Sequence, residues 1–145
     1  MDAEPIERRQ NKLRERLSQT LAEPALSRIL PFIGELARVP FPDGDSPSLR
    51  AARQNQMLMN DAMRTAWEEW ITAECNRRPV VLVLEDLHLG DLPSVQFVDT
   101  ALRDARGKPL MVLSVARPEV HTQFPGLWQS RDLEEMRLPA LTRKA

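Results

Sequence analysis

Glu85 and Asp86 stand side by side directly after the apolar run Val80–Leu84, and His88 and Asp91 follow closely. Arg117 stands directly after a second apolar run, Leu110 to Ala116. Paired carboxylates after an apolar strand suit Mg²⁺ binding and activation of a water, and an arginine beside them suits a phosphate charge. For these groups to meet, the two runs must be neighbouring parallel strands, because ligands of open parallel sheets bind beyond the strands' carboxyl ends.

The elements between and around them fit that requirement. Val80 to Leu84 is a continuous β-branched and aliphatic run, the pattern of a strand buried on both faces. Asp91 is placed to cap a helix whose buried face is Val95, Val98, Ala101 and Leu102. Arg103 and Arg106 fall in its last turns, and Gly107 stops it. Strand, helix and strand within Val80–Ala116 make a βαβ unit. Upstream, the spacing predicts helices. One carries Ile6, Leu13, Leu17 and Leu21, and a second carries Leu26, Ile29, Leu30, Ile33 and Leu36, with Pro31 expected to kink or split it. The segment from Val39 to Ser48 is a loop, Ser46-Pro47 restarts helix, and a long helix runs from about Gln54 to Asn76. Its Met59, Met63, Ala66, Trp67, Trp70 and Ile71 read as a core-facing stripe. Beyond Pro118 the chain is expected to be irregular to about Asp132, with a short third strand at Glu135–Leu138.

The fold class is therefore α/β, with a helical region over 1–78 and the βαβ segment over 79–145. Two strong parallel strands are few. Such strands want neighbours on both edges and helices on both faces, and bare edges invite association. The expectation is an incomplete domain, one whose last residues, LPALTRKA, resemble a helix start cut short.

Composition narrows the function classes. Twenty basic and 21 acidic residues leave a formal net charge of −1, which argues against coating nucleic acid or an anionic membrane. The longest apolar run is too short for a bilayer, and the charged N-terminus is unlike a signal peptide, so a cytoplasmic chain is expected. One cysteine and two histidines exclude a disulfide framework and a structural zinc site. Neither the H-R-D nor the D-F-G segment of a protein kinase is present.

The segment VVLVLEDLHLGD (Val80 to Asp91) resembles the Walker B region of the STAND class of AAA-related P-loop ATPases. VLSVARPEV (Val112 to Val120) is similar to their strand that ends in a nucleotide-sensing arginine. FPGLWQSRDLEEMRLPALT resembles the link to their next strand and helical lid, and the helices before Val80 look like the region that precedes Walker B. Modules of this kind occur in large bacterial signalling regulators, joined to serine/threonine kinase or DNA-binding domains. The resemblance implies a partial parallel sheet of a P-loop NTPase-like three-layer fold preceded by a helical region, with ATP and Mg²⁺ as cofactors. It assigns Glu85 to Mg²⁺ through water and Asp86 to orienting or deprotonating the attacking water. Arg117, His88 and Asp91 fall on nucleotide-side positions. Leu89 and Gly90 depart from the Trp and Ala usual there.

No G-x-x-x-x-G-K-[ST] occurs. The Gly107-Lys108 pair is followed by Pro109 and has Leu102 where the first glycine belongs. Triphosphates are held mainly by that loop's backbone N–H groups and its lysine. The expectation is a piece of an ATPase domain that is inactive alone, its partners being the remaining domain segments, another chain, or a second copy at the open edges. The alternative is a non-catalytic interaction or scaffold piece. A metal-dependent phosphohydrolase built on Glu85, Asp86 and Asp91 is weaker, for want of a second acidic cluster. His88 equally suits a hydrogen-bonded structural residue, and Arg117 a surface arginine. His121 and Cys75 have no partners at ligand spacing, and the basic residues of Glu7–Arg16 alternate with acids like a solvated helix face.

Overall fold

A computed structural model describes residues 4–139. Its elements, in chain order, are α1 (Ile6–Ser18), α2 (Ala25–Leu36), α3 (Pro47–Arg53), α4 (Gln56–Cys75), β1 (Val80–Leu84), α5 (Leu92–Asp104), β2 (Leu110–Ser114) and α6 (Val120–Gln123). The chain is thus helical with a small parallel sheet of the α/β type, β1 beside β2 with Val80 opposite Leu110 and Leu84 opposite Ser114.

Local chemistry sets the helix starts. The Ser46 hydroxyl accepts the Leu49 N–H at 3.3 Å, with Pro47 in the first turn of α3. Asn55 accepts the N–H groups of Met57 and Leu58 at 3.0 and 3.3 Å and opens α4. The expected split at Pro31 does not occur, and α2 runs through it. Proline forfeits one intrahelical bond, but Pro31 lies among the buried Ile29, Leu30, Phe32 and Ile33, whose burial holds the helix together.

Helix α4 carries a core on either side. Its Met59 and Ala66 close the helical core, in which Leu17, Ile29, Leu30 and Leu49 are fully buried. Its Ile71 and Cys75 pack with Ala101 of α5 against Val80, Leu82 and Leu110 of the sheet. Trp67 touches both cores, and its indole N–H donates to the Phe97 carbonyl of α5 at 3.1 Å. Burial raises the Cys75 thiol above its ordinary range, which suits an inert packing residue.

Glu74, only 3% exposed, joins α1 to the end of α4. Its carboxylate accepts from Arg16 at 2.7 Å, Thr20, Trp70 at 3.1 Å and Arg78 at 3.0 Å. The Arg16 guanidinium, helped by Thr20 and Arg78, holds the carboxyl down at about 2 against the opposing effect of burial.

Two expectations of the sheet are corrected. The strands are covered on one face only: Val81, Val83, Met111, Leu113 and Val115 are 47–58% exposed, while the alternate residues face α4 and α5. An unbroken apolar run is the same sequence whether or not the chain itself covers its second face. Nor does Glu135–Leu138 form a strand: Met136 and Leu138 are 79% and 82% exposed, and Glu135 pairs instead with Arg137 at 2.8 Å. With both apolar side chains in solvent, nothing attaches this segment to a sheet edge. The helix start expected in the final residues falls, from 140 onward, outside the described residues.

Glu74→Gln should cost about 2 kcal/mol at neutral pH, since it removes the charge that four donors were arranged to meet. The carboxyl is lowered in the folded state, so its contribution is complete above 4.5 and fades as pH falls toward about 2. Denaturant unfolding of both proteins should show their stability gap closing through that window. A gap independent of pH would contradict the network.

Candidate functional site at the carboxyl end of the sheet

The sheet delivers the two groups of interest to one end. Beyond the last paired residues, the strands stay joined: Val115 N–H donates to the Leu84 carbonyl at 2.8 Å, and Leu87 N–H donates to the Val115 carbonyl at 3.1 Å. Between these bonds, Glu85 and Asp86 turn the chain out of the sheet. Asp86 takes the left-handed conformation (φ 51°, ψ 39°), one that Asp tolerates better than most residues. A 3₁₀ turn, Leu87–Leu89, follows at once.

His88 is 9% exposed within this turn, and its Nδ1 accepts the backbone N–H of Arg117 at 3.3 Å. The turn is tied a third time where the Gln123 amide of α6 donates to the Gly90 carbonyl at 2.9 Å. Beneath it lies a cluster of Leu87, Val95, Val98, Phe124 and Trp128. Leu89 stands 75% exposed at the turn's rim.

Asp91 has a defined local task. Its carboxylate accepts the Ser94 N–H at 2.7 Å, capping α5, and that bond lowers the carboxyl below its ordinary range. Glu85, Asp86 and Arg117 are exposed, and among the described residues no ion pair or hydrogen bond engages the two carboxylates or the guanidinium. Their carboxylates and guanidinium are available to a ligand. An open cleft of about 440 Å³ lies beside the two acids, lined by Glu85, Asp86, Gly90 and Ser94 and by apolar residues of β1 and α5, and Arg117 is not part of its lining.

The residues singled out in the sequence therefore converge in part. Glu85, Asp86, His88 and the Arg117 backbone meet at adjacent strand ends, while Asp91 is spent on α5. His121 lies 3.5 Å from Glu135, away from these groups in role. Among the described residues, no cluster of three or more His, Cys, Asp or Glu is arranged around a metal position. Two free carboxylates suit a cation, and one free guanidinium suits an anion such as a phosphate.

The support beneath the turn was not anticipated. Val120, Phe124 and Trp128 recur at intervals of four within a stretch read as irregular, and that helical spacing was the available signal. No helix of the described residues is long and apolar enough to cross a membrane. No protein-family model matches the chain, and no curated protein or solved structure matches it either.

Asp91→Ala should loosen the first turn of α5, raising the exchange rate of the Ser94 amide and lowering Tm slightly, whereas Asp91→Asn keeps the cap and changes neither. Amide exchange with thermal unfolding checks this. An unchanged Ser94 amide in Asp91→Ala would show that the cap is not formed in solution.

Proposed function

We propose that this chain carries the acid-and-arginine end of a nucleotide-switched ATPase module of the STAND/AAA type, from a bacterial signalling protein. The observation that carries this reading is the juxtaposition of Glu85 and Asp86 after β1 with Arg117 after β2, on strand ends joined by backbone bonds. In the complete module Glu85 holds Mg²⁺ through water, and Asp86 orients the attacking water. Arg117 faces the terminal phosphate, and ATP turnover switches the regulator between two states. His88 and Asp91 shape the loop between these groups. The phosphate cradle comes from residues that this chain does not supply, so the chain alone binds Mg–ATP weakly and does not hydrolyse it.

A chemical-shift titration of the 145-residue chain with Mg–ATP tests this. The expected result is a saturable response in the millimolar range at Glu85–His88 and Arg117, abolished by Arg117→Ala and much reduced by Glu85→Gln. A response elsewhere only, or one indifferent to both substitutions, would overturn the assignment.

The bare sheet face favours a second reading, a non-catalytic interaction piece that associates with a second copy of itself. Five apolar side chains in register on two open-edged strands are a strong invitation to association. Under this reading sedimentation shows a concentration-dependent dimer, and Val83→Lys with Leu113→Lys returns it to monomer. A folded monomer at all concentrations would remove it.

A further inference from the structure

We infer that His88 is a latch between the two strand ends: a neutral imidazole, protonated at Nε2, whose Nδ1 fixes the backbone of Arg117 and so positions its guanidinium. The hydrogen bond sets the tautomer. A backbone N–H can only donate, so the nitrogen that receives it must carry a lone pair, and the ring's proton resides on Nε2.

The bond satisfies the buried Nδ1 of His88 and at the same time places the backbone of Arg117. Arg117 lies in an exposed segment, and its N–H makes this part-buried bond at the segment's start. The residue is also constrained from the other side, because Pro118 confines the backbone of the residue before it to extended conformations. Proline limits its torsions and His88 holds its amide, so an arginine with a free side chain has a fixed backbone. Such an arrangement fixes the point from which the guanidinium extends and so narrows the region it can reach.

The anchor itself is rigid. Leu87, before His88, is buried and bonded to Val115, and Gly90, two residues after it, is held by Gln123. His88 therefore transmits the placement of the β1 turn, including Glu85 and Asp86, to Arg117 across the sheet. That Arg117 is aimed at a phosphate rests on the nucleotide reading above. The latch does not.

The test uses the full chain and two variants. Asn places an acceptor oxygen near the position of Nδ1, and Leu keeps the bulk with no acceptor, so His88→Asn should preserve the latch and His88→Leu should break it. Long-range ¹H–¹⁵N spectra should show the wild-type imidazole as the Nε2–H tautomer. The Arg117 amide should exchange roughly fivefold faster in His88→Leu, as expected for loss of one hydrogen bond, and at the wild-type rate in His88→Asn. Should His88→Leu fail to fold, the tautomer and the Asn variant still decide. An Nδ1–H tautomer, or fast Arg117 exchange in His88→Asn as in an unprotected amide, overturns the latch.

Titrating the same proteins with Mg–ATP separates the two readings. A response at the Arg117 side chain that persists in His88→Asn and is lost in His88→Leu supports positioning. No nucleotide response in any protein, with the tautomer and exchange as expected, removes the phosphate assignment and leaves the latch standing. An equal response in wild type and His88→Leu shows that His88 does not position Arg117.

Discussion

Helix α4 holds two cores apart and together, and the sheet depends on it. Two strands alone are too few to persist in water. Here they are backed by Ile71 and Cys75 of α4 and by α5, while the other side of α4 closes the helical core through Met59 and Ala66. Glu74 fastens this arrangement by drawing Arg16 and Thr20 of the first helical layer and Arg78, just ahead of β1, onto one carboxylate. The ion network spends a desolvation cost to join segments far apart in sequence, a cost that several donors to one acceptor can offset.

On that support, the carboxyl end of the sheet is well tied and its far face is not. Backbone bonds from Val115, the His88 acceptor and the Gln123 amide all converge on the turn after β1. Glu85, Asp86 and Arg117 are left free above it. The opposite pattern holds across the sheet, where a row of aliphatic side chains meets solvent. Parallel strands are ordinarily covered on both faces. Under the proposed function, coverage of that face and the donors to phosphate come from other segments or chains.

How much of this could be read from the residues follows from the range of each interaction. Helices α1 to α5 and both strands were legible because their signals are local: the Ser46 and Asp91 caps, the aliphatic runs, and the stripe on α4. The pairing of strand ends followed from the βαβ order. The partner of His88 was not legible, since it lies 29 residues away and is a backbone group that carries no residue-type signal. Glu74 was invisible for the same reason, its Arg16 partner being 58 residues distant. Pro31 misled because tertiary burial overrode a local penalty. Glu135–Leu138 misled because its Met136 and Leu138 find nothing to pack against and stay in solvent. The acids and arginine of the candidate site were found by type and position, but that Asp91 is occupied by α5 emerged only with the fold.

The central claim is that one metal–phosphate site spans the ends of β1 and β2. Paramagnetic broadening with Mn²⁺–ATP in place of Mg–ATP tests it most directly, because the effect falls steeply with distance from the ion. Binding there should remove the amide signals of Glu85, Asp86 and Leu87 selectively, with a weaker effect at Ala116 and Arg117 and with α1 to α3 untouched. Broadening centred on any other acidic surface, with the strand ends unaffected, would contradict it.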